Sequence, residues 1–412
     1  MTTRVAEPPA RDGRELALFR RRLLAWYGRN ARDLPWRRSD DPYRVWLSEM
    51  LLQQTRVETA TAYFKRFVAR WPTVEALASA ELDDVLGMWA GLGYYRRARF
   101  LHATARLIAA HDRGRFPREV AELRRLPGVG RYTAGAIASI AFGRAVAAVD
   151  GNVARVLARL AAIDEPIDTP AAQHRLWALA ERLVSPRRPG AFNQALMELG
   201  ASVCRPGVPR CAACPVAAHC AARHRGLEDQ LPNRTRRGGP VARRAIAAAV
   251  RRGARFLLVQ RPADGLLGRM WGLPSVELGP RQAPESALRD HVAGRLGLTI
   301  RVGRRCGTVT HVFTHRRLRL DVCECTVERG RLRPRGYLAG LWLTPAQLRA
   351  HLATQPRSDR EIAASGKDGG AAGAASAGRT EGTTRTAGFR PRRPAISALD
   401  RKALALLPAL AT

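Results

Sequence analysis

Lysine and the acidic residues are scarce in this chain of 412 residues, whereas arginine is abundant. Lysine occurs only at Lys65, Lys367 and Lys402, and the 70 Lys and Arg residues together oppose 35 Asp and Glu, a formal net charge of +35. A compositional bias toward arginine accounts for part of this excess. An imbalance of this size still makes a polyanion, above all a nucleic acid, the expected partner.

Long apolar runs are also missing from the chain. No stretch reaches the roughly eighteen consecutive apolar residues that a membrane-spanning helix needs. Residues 1–14 are polar and charged, and they lack the apolar segment of a secretory signal. We therefore expect a cytoplasmic, nucleoid-associated protein with no membrane partner, whose few thiols stay reduced.

Strand-like alternation is almost absent from residues 15–225. Apolar residues there recur at helical spacing, as in RVWLSEMLLQQT, and Gly and Pro separate the helical segments. This pattern predicts a mainly α N-terminal domain over 1–225. The polar, Gly- and Pro-containing stretch 226–244 is typical of a linker.

The periodicity changes after this linker. Residues 245–262 predict a β-hairpin with Arg-Arg-Gly at its turn, and 307–327 predict two further strands. The intervening PESALRDHVAGRLGL suits a helix, so we predict an α+β domain over 245–352. Residues 358–393, rich in Gly, Ala, Ser, Thr and Arg, are predicted to be disordered, and 396–410 to form a helix that returns to the second domain.

Four of the seven cysteines fall within seventeen residues, at Cys204, Cys211, Cys214 and Cys220. Their density argues against four unrelated buried cysteines and for thiolates that converge on a metal. A four-cysteine zinc site usually has two C-x-x-C pairs, but only Cys211 and Cys214 form one here. Longer spacers also suit a [4Fe–4S] cluster. The spacing by itself leaves zinc and iron–sulfur open.

The stretch LPGVGRYTAGAIASIAFG has glycines at Gly128 and Gly130 before a strong helical pattern from Thr133. Glycines allow backbone amides to approach a ligand closely, and the helix N-terminus favours an anion such as phosphate. Many such turns merely connect helices. Asp150 follows about twenty residues later at the start of another helix, where an ordinary N-cap would explain it equally well.

Glu49 is the one acid in the apolar centre of YRVWLSEMLLQQTRVETA, among Trp46, Leu47 and Met50. A lone acid on such a helix is often a partly exposed surface residue. If it is buried, its apolar surroundings raise its pKa, so that it stays protonated near neutral pH and can donate a proton.

These motifs together resemble one family. VWLSE-x-x-LQQTRV, LPGVG, VDGNVARVLARL and the cysteine spacing follow in the order found in helix-hairpin-helix iron–sulfur DNA glycosylases, in particular the adenine DNA glycosylases (the MutY family). The resemblance extends over about 14–352 and the final helix. It implies a helix-hairpin-helix glycosylase domain with a [4Fe–4S] loop on the four clustered cysteines, followed by an α+β Nudix-like domain. It also implies a monomer that acts on double-stranded DNA with adenine opposite 8-oxoguanine.

The resemblance further implies a mechanism. Adenine is flipped from the duplex, Glu49 protonates its N7, and Asp150 stabilises the oxocarbenium-like sugar that forms. Water then attacks with Glu49 as base, the acid-then-base logic of retaining glycosidases. Tyr132 and Asn152 would position the sugar and Glu49. The implied DNA- and base-binding residues are Trp36, Arg37, Gln54, Thr55, Leu92, Tyr94, Gly128, Gly130, Gln194, Phe313, Thr314 and His315.

Tyr132 stands where bifunctional relatives resembling endonuclease III have a lysine that attacks C1′ as an amine. No lysine occurs between Lys65 and Lys367. A Schiff-base lyase therefore lacks its nucleophile, and the enzyme is expected to remove the base without cutting the strand.

The second domain resembles a Nudix domain that has lost its metal site. Where an active Nudix box has paired glutamates, this chain has Gly294 and Arg295. In the adenine DNA glycosylases this domain recognises 8-oxoguanine, and Phe313, Thr314 and His315 stand where that family has Phe-Ser-His.

Two alternatives remain at this point. One is a bifunctional glycosylase and lyase like endonuclease III, and the other is a non-catalytic iron–sulfur DNA-binding protein. If the second domain does not read the lesion, Gln54, Thr55 and Leu92 are the candidates.

Overall fold

The computed structural model describes residues 12–111, 114–235, 238–353 and 394–410. The predicted disordered segment 358–393 lies outside these residues. The chain divides into two compact units. The first comprises Met1–Ser79 and Phe100–Gly238, and the second comprises Ala80–Arg99 and Gly239–Thr412.

The first unit is helical, as predicted. Its helices are α1 (Gly13–Asn30), α2 (Pro42–Leu52), α3 (Val57–Arg70), α4 (Val74–Ala78), α6 (Arg96–His111), α7 (Val120–Leu123), α8 (Arg131–Phe142), α9 (Gly151–Leu160), α10 (Pro170–Leu183), α11 (Pro189–Ser202) and α12 (Ala221–His224). Helix α5 (Leu82–Trp89) belongs to the second unit, and the first turn of α6 lies there too. Short 3₁₀ turns lie at Pro35–Arg37, Cys211–Ala213 and Ala217–His219.

Local sequence signals explain where these helices begin. Proline occupies the first position of α2, α10 and α11, where its missing N–H costs nothing. Asp12 caps α1 and Asp150 caps α9 by accepting backbone N–H groups. Helix α9 is buried along nearly its whole length, and it packs with α1, α10 and α11 around a core that includes Phe19, Leu23, Leu157, Leu176 and Phe192.

The second unit is built on a seven-stranded sheet. Its strands are β1 (Val241–Arg252), β2 (Arg255–Gln260), β3 (Trp271–Gly272), β4 (Ser275–Leu278), β5 (Leu298–Val312), β6 (Arg316–Gly330) and β7 (Ala339–Leu343). The main order is β3-β2-β1-β6-β5, with β4 paired to β1 and β7 to β2. Strands β1 and β6 are parallel, whereas the other pairs are antiparallel.

Helices cover both faces of this sheet. Helix α13 (Pro284–Leu296) buries Leu288, Val292 and Leu296 against one face. Helices α14 (Pro345–Ala353) and α15 (Ala398–Leu404) cover the other face. The predicted fold class, a helical domain followed by an α+β Nudix-like domain, is therefore confirmed.

Several predicted boundaries need correction. The hairpin turn is Gly253–Ala254, because Arg251 and Arg252 are still paired across the strands. Strand β1 begins at Val241, inside the predicted linker 226–244, because it pairs there with β6. The predicted helix 396–410 is interrupted: α15 ends at Leu404, and a separate 3₁₀ turn begins at Pro408, since proline cannot donate the backbone hydrogen bond that would continue a helix.

None of the helices formed by the described residues combines the length and the apolar character needed to cross a membrane.

Candidate active site

Glu49 lies on α2 and is 5% exposed. Burial raises the pKa of its carboxyl from 4.5 to about 7, the nearby charge of Asp150 adds to this increase, and a hydrogen bond with Tyr132 and the charge of Arg37 oppose it. Its Oε2 is buried and makes no hydrogen bond to the described residues. This carboxyl is thus partly protonated near neutral pH, and its Oε2 is unpaired among the described residues.

Tyr132 stands on the first turn of α8 beside Glu49. Burial raises the pKa of its phenol well above 10, as do the charges of Glu49 and Asp150. Its hydroxyl also lies 3.8 Å from the sulfur of Met197. Tyr132 therefore stays neutral, and its hydroxyl is hydrogen-bonded with Glu49.

Asp150 combines capping with a place in the site. Its Oδ1 accepts the N–H of Val153 at 2.7 Å, and its Oδ2 accepts the amide of Asn152 at 3.2 Å. Burial raises the pKa of Asp150, although these hydrogen bonds oppose the shift. The Asn152 oxygen in turn accepts from Arg155 at 2.9 Å, which also donates to the carbonyl of Cys204 at 2.8 Å. The N-cap alternative is confirmed as a role, and it coexists with proximity to Glu49.

Trp36 and Arg37 lie in the 3₁₀ turn before α2. Trp36 is buried, and Arg37 pairs with the carboxylate of Glu198 at 2.8 Å. Gln194 lies in the second turn of α11, and its side-chain oxygen accepts the hydroxyl of Tyr27 at 3.1 Å. These side chains come from α1, the 3₁₀ turn and α11.

Glu198 is the residue that sequence reasoning missed here. Its side chain is fully buried on α11 and binds both Arg32, at 2.7 Å, and Arg37. Burial by itself raises the pKa of Glu198, but the two arginines outweigh it and the net pKa is lowered. The segment FNQALMELG shows the same pattern as the segment around Glu49, a single acid within an apolar helix.

The glycine turn adopts the conformation that its sequence predicts. Gly128 has φ +76°, in the left-handed region, and a Cβ there would lie 2.9 Å from Cβ of Phe100. Gly130 is the N-cap of α8 in extended conformation, and open space surrounds the position of its missing Cβ. The amides at the start of α8 are thus presented by a tight, pre-formed turn.

Gln54 and Thr55 follow α2 at the surface of the first unit. Gln54 is exposed and adopts φ +57°, which is uncommon for a residue with a side chain. The Thr55 hydroxyl lies 3.3 Å from the carbonyl of Gln53. Strained backbone in this position is typical of a functional loop.

The four clustered cysteines line one cavity. Cys204, Cys211, Cys214 and Cys220 surround an empty volume of about 400 Å³, counting the space open to solvent. All four are partly buried and free of disulfides. Burial raises the pKa of Cys214 to about 12, so a cation is needed to hold this sulfur as a thiolate.

Arg159 binds the loop that lines this cavity, and the sequence did not predict this role. It is 2% exposed and donates to the sulfur of Cys204 at 3.3 Å, and to the carbonyls of Arg205 and Gly207 at 2.8 and 2.9 Å. In the described part of the chain, no three His, Cys, Asp or Glu side chains are arranged to hold a single metal ion. The thiols border a volume instead of meeting at a point.

The remaining predicted residues lie in the second unit. Leu92 is nearly buried, whereas Tyr94 is 48% exposed with φ +48°. The Tyr94 hydroxyl lies 2.7 Å from the Thr314 hydroxyl. Phe313 begins a tight turn by donating its N–H to the carbonyl of Arg316 at 2.8 Å, and the carbonyl of His315 accepts from the first residue of β1.

Two family profiles match the chain. The family described as "HhH-GPD superfamily base excision DNA repair protein" matches residues 47–182, and the family described as "NUDIX domain" matches residues 245–363. The first range contains Glu49, Tyr132 and Asp150. The second contains the turn with Thr314.

The chain is also similar to adenine DNA glycosylases along most of its length. The adenine DNA glycosylase of Homo sapiens is 40% identical over 77% of this chain and 68% of its own length. That of Arabidopsis thaliana is 41% identical over 75% of this chain and 57% of its own length. That of Rattus norvegicus is 38% identical over 77% of this chain and 72% of its own length.

Proposed function

Since the chain belongs to the adenine DNA glycosylase family, we propose that it excises adenine opposite 8-oxoguanine or guanine from double-stranded DNA and leaves the strand uncut. Membership of this family makes the protein an enzyme of base excision repair that hydrolyses the N-glycosidic bond of adenine.

The buried carboxyl of Glu49, with its raised pKa, is the observation that carries the proposed chemistry. Adenine leaves poorly as an anion, and protonation of its N7 makes it a better leaving group. A buried carboxyl with a pKa of about 7 is half protonated at neutral pH, and its unpaired Oε2 is available to the base. Flipping of the adenine out of the duplex brings it to this oxygen.

Asp150 and Tyr132 serve the sugar in this mechanism. Loss of adenine leaves positive charge at C1′, which the carboxylate of Asp150 stabilises. Asn152 holds Asp150 through its amide, and Tyr132 keeps a neutral hydroxyl in hydrogen-bond contact with Glu49. Water then attacks C1′ while Glu49, now ionised, accepts its proton.

The absence of an amine from this site supports a monofunctional enzyme. Lyase activity requires a neutral lysine beside C1′ to form the Schiff base. Tyr132 occupies the corresponding position, and the sequence has no lysine between Lys65 and Lys367. We therefore propose that the product is an abasic site.

Recognition of the opposite base is assigned to the second unit. Its exposed Tyr94 and the turn at Thr314 are joined through their hydroxyls. Tyr94 offers a ring that can enter the base stack, and Thr314 offers a group that can hydrogen-bond the 8-oxo base. Because the Nudix metal ligands are replaced, this domain serves for binding.

The cysteine cavity fits a [4Fe–4S] cluster. Four thiols line one cavity, and Arg159 fixes the loop that carries Cys204. Such a cluster would supply the cross-link that holds this loop, with Cys204, Cys211, Cys214 and Cys220 as its ligands. Iron and sulfide analysis of anaerobically purified protein tests this; one zinc and no iron would refute it.

Base release from duplexes with a single adenine tests the function. Excision from 8-oxoguanine:adenine should exceed that from guanine:adenine, and strands should break only after alkali treatment. A Glu49→Gln protein should bind lesion DNA but release no adenine, which separates the enzyme from a non-catalytic DNA-binding protein. Strand cleavage without alkali would favour a bifunctional glycosylase instead.

A further inference from the structure

Helix α5, which belongs to the second unit, is held to the rest of that unit by an ion pair at its first turn. The Oδ1 of Asp83 accepts from Nη2 and Nε of Arg269 at 3.1 and 3.3 Å, and its Oδ2 accepts from the amide of Gln260 at 3.2 Å. The side chains of Asp83 and Arg269 are only 13% and 27% exposed. A pair this sheltered, with both oxygens occupied, is held more firmly than a typical surface ion pair.

The loop that supplies this arginine has a specific, unfavourable conformation. Leu267 and Arg269 adopt φ values of +57° and +63°, although neither is a glycine. The loop is closed by a hydrogen bond from the N–H of Arg269 to the carbonyl of Pro262, and the carbonyl of Gly268 accepts from Arg99 at 3.1 Å. Strain of this kind persists where the surroundings impose it, and here it presents the loop to the segment Ala80–Arg99.

The other end of the same segment carries Tyr94. The guanidinium of Arg97 lies over the rings of Trp89 and Tyr94, at 5.0 and 5.6 Å from their centroids. The indole N–H of Trp89 donates to the carbonyl of Gly93 at 3.0 Å. Because Trp89 ends α5 and Asp83 lies in its first turn, the placement of the helix sets the placement of Tyr94.

We propose that the segment Ala80–Arg99 and the sheet of the second unit together recognise the lesion. Asp83 is a positioning residue in this arrangement, and the preference for 8-oxoguanine opposite adenine depends on it. The segment brings Tyr94, the sheet brings Thr314, and their hydroxyls meet at 2.7 Å. The Asp83–Arg269 pair holds the start of the segment in place, so that the side chains of Tyr94 and Thr314 contact the DNA in a fixed position relative to each other. This inference rests on the proposed function.

Single-turnover excision by Asp83→Asn on the two duplexes tests the proposal. We expect the ratio of the rates on 8-oxoguanine:adenine and guanine:adenine to fall about tenfold, the effect of losing one charge-assisted contact. Asp84→Asn is the matched control, because Asp84 is an exposed neighbour on the same turn and its loss changes the net charge equally. It should keep the parental ratio.

Arg269→Gln provides a second route if Asp83→Asn folds poorly. It should lower the ratio as Asp83→Asn does, and the double variant should lower it no further, because the two residues act through one pair. Fluorescence of 2-aminopurine placed next to 8-oxoguanine reports insertion of Tyr94, and it should change less on binding of either variant than of the parent.

The outcomes separate the two claims. A parent without any preference for 8-oxoguanine would overturn the proposed function and this inference with it. A parent with the preference, and variants that fold and keep it, would overturn the inference alone. Additive effects of the two substitutions would also contradict it, since they would show that the residues act independently.

Discussion

At the scale of single residues, Glu49 shows how burial of the proposed catalytic acid costs stability. A carboxyl with a pKa near 7 in the folded protein and 4.5 when unfolded binds more protons in the folded state between these values. The free energy of unfolding therefore falls as pH rises through this window. The burial of Glu49 therefore leaves the free energy of unfolding unaffected below about pH 4.5, where the carboxyl is protonated in both states, and lowers it above about pH 7.

Glu49→Gln should consequently stabilise the protein in a pH-dependent way while abolishing excision. At pH 8 the free energy of unfolding should exceed that of the parent by roughly 2–3 kcal/mol, and at pH 5 the two should nearly agree. Urea unfolding at both pH values measures this difference. A gain of equal size at pH 5 and pH 8 would show that Glu49 is not the titrating group.

Tyr132→Lys should introduce strand cleavage into an enzyme that we propose to leave the strand uncut. The new amine would lie beside Glu49 and Asp150, near the sugar carbon that the proposed mechanism leaves exposed. Gel assays without alkali should show some nicked product, and borohydride should trap a covalent adduct. Tyr132→Phe is the control and should show neither; nicking by Tyr132→Phe would point to a nucleophile elsewhere.

At the scale of elements, the glycine turn before α8 has two glycines with different requirements. Gly128→Ala places a methyl in the left-handed region and 2.9 Å from Phe100, so it should cost about 1–3 kcal/mol of stability and weaken duplex binding. In Gly130→Ala the new methyl enters open space and the backbone φ is ordinary, so the loss of stability should be much smaller. Urea unfolding and duplex titration of both variants test the contrast, which equal effects would contradict.

At the scale of the whole molecule, the net charge of +35 should govern binding to undamaged DNA. If six or more phosphates are contacted, the affinity should fall about a thousandfold or more between roughly 50 and 200 mM salt, as counterions are released. Fluorescence anisotropy with an undamaged duplex measures the slope. A flat response would show that the arginines do not meet the backbone, and lesion DNA should bind more tightly at every salt concentration.

Much of this protein could be predicted from the sequence because its signals are local. The apolar periodicity predicted the helical and α+β halves, and the Gly-x-Gly turn followed by a helix predicted the tight turn at Gly128. The lone acid in the apolar helix of Glu49 could by itself have been an exposed surface residue, and the structure shows that it is buried and that its pKa is raised. Each of these features depends on residues that lie close together in the sequence. The family resemblance of these motifs is confirmed by relatives that are about 40% identical.

Only the tertiary structure decided the remaining features, since they depend on contacts between residues distant in sequence. It brought Glu198 to Arg37 and Arg159 to the cysteine loop, pairings that no local pattern contains. It also grouped the segment Ala80–Arg99 with the second unit, although the sequence places it inside the helical domain. The Asp83–Arg269 pair spans 186 residues of chain, and its existence depends on how the strained loop before β3 folds back onto α5.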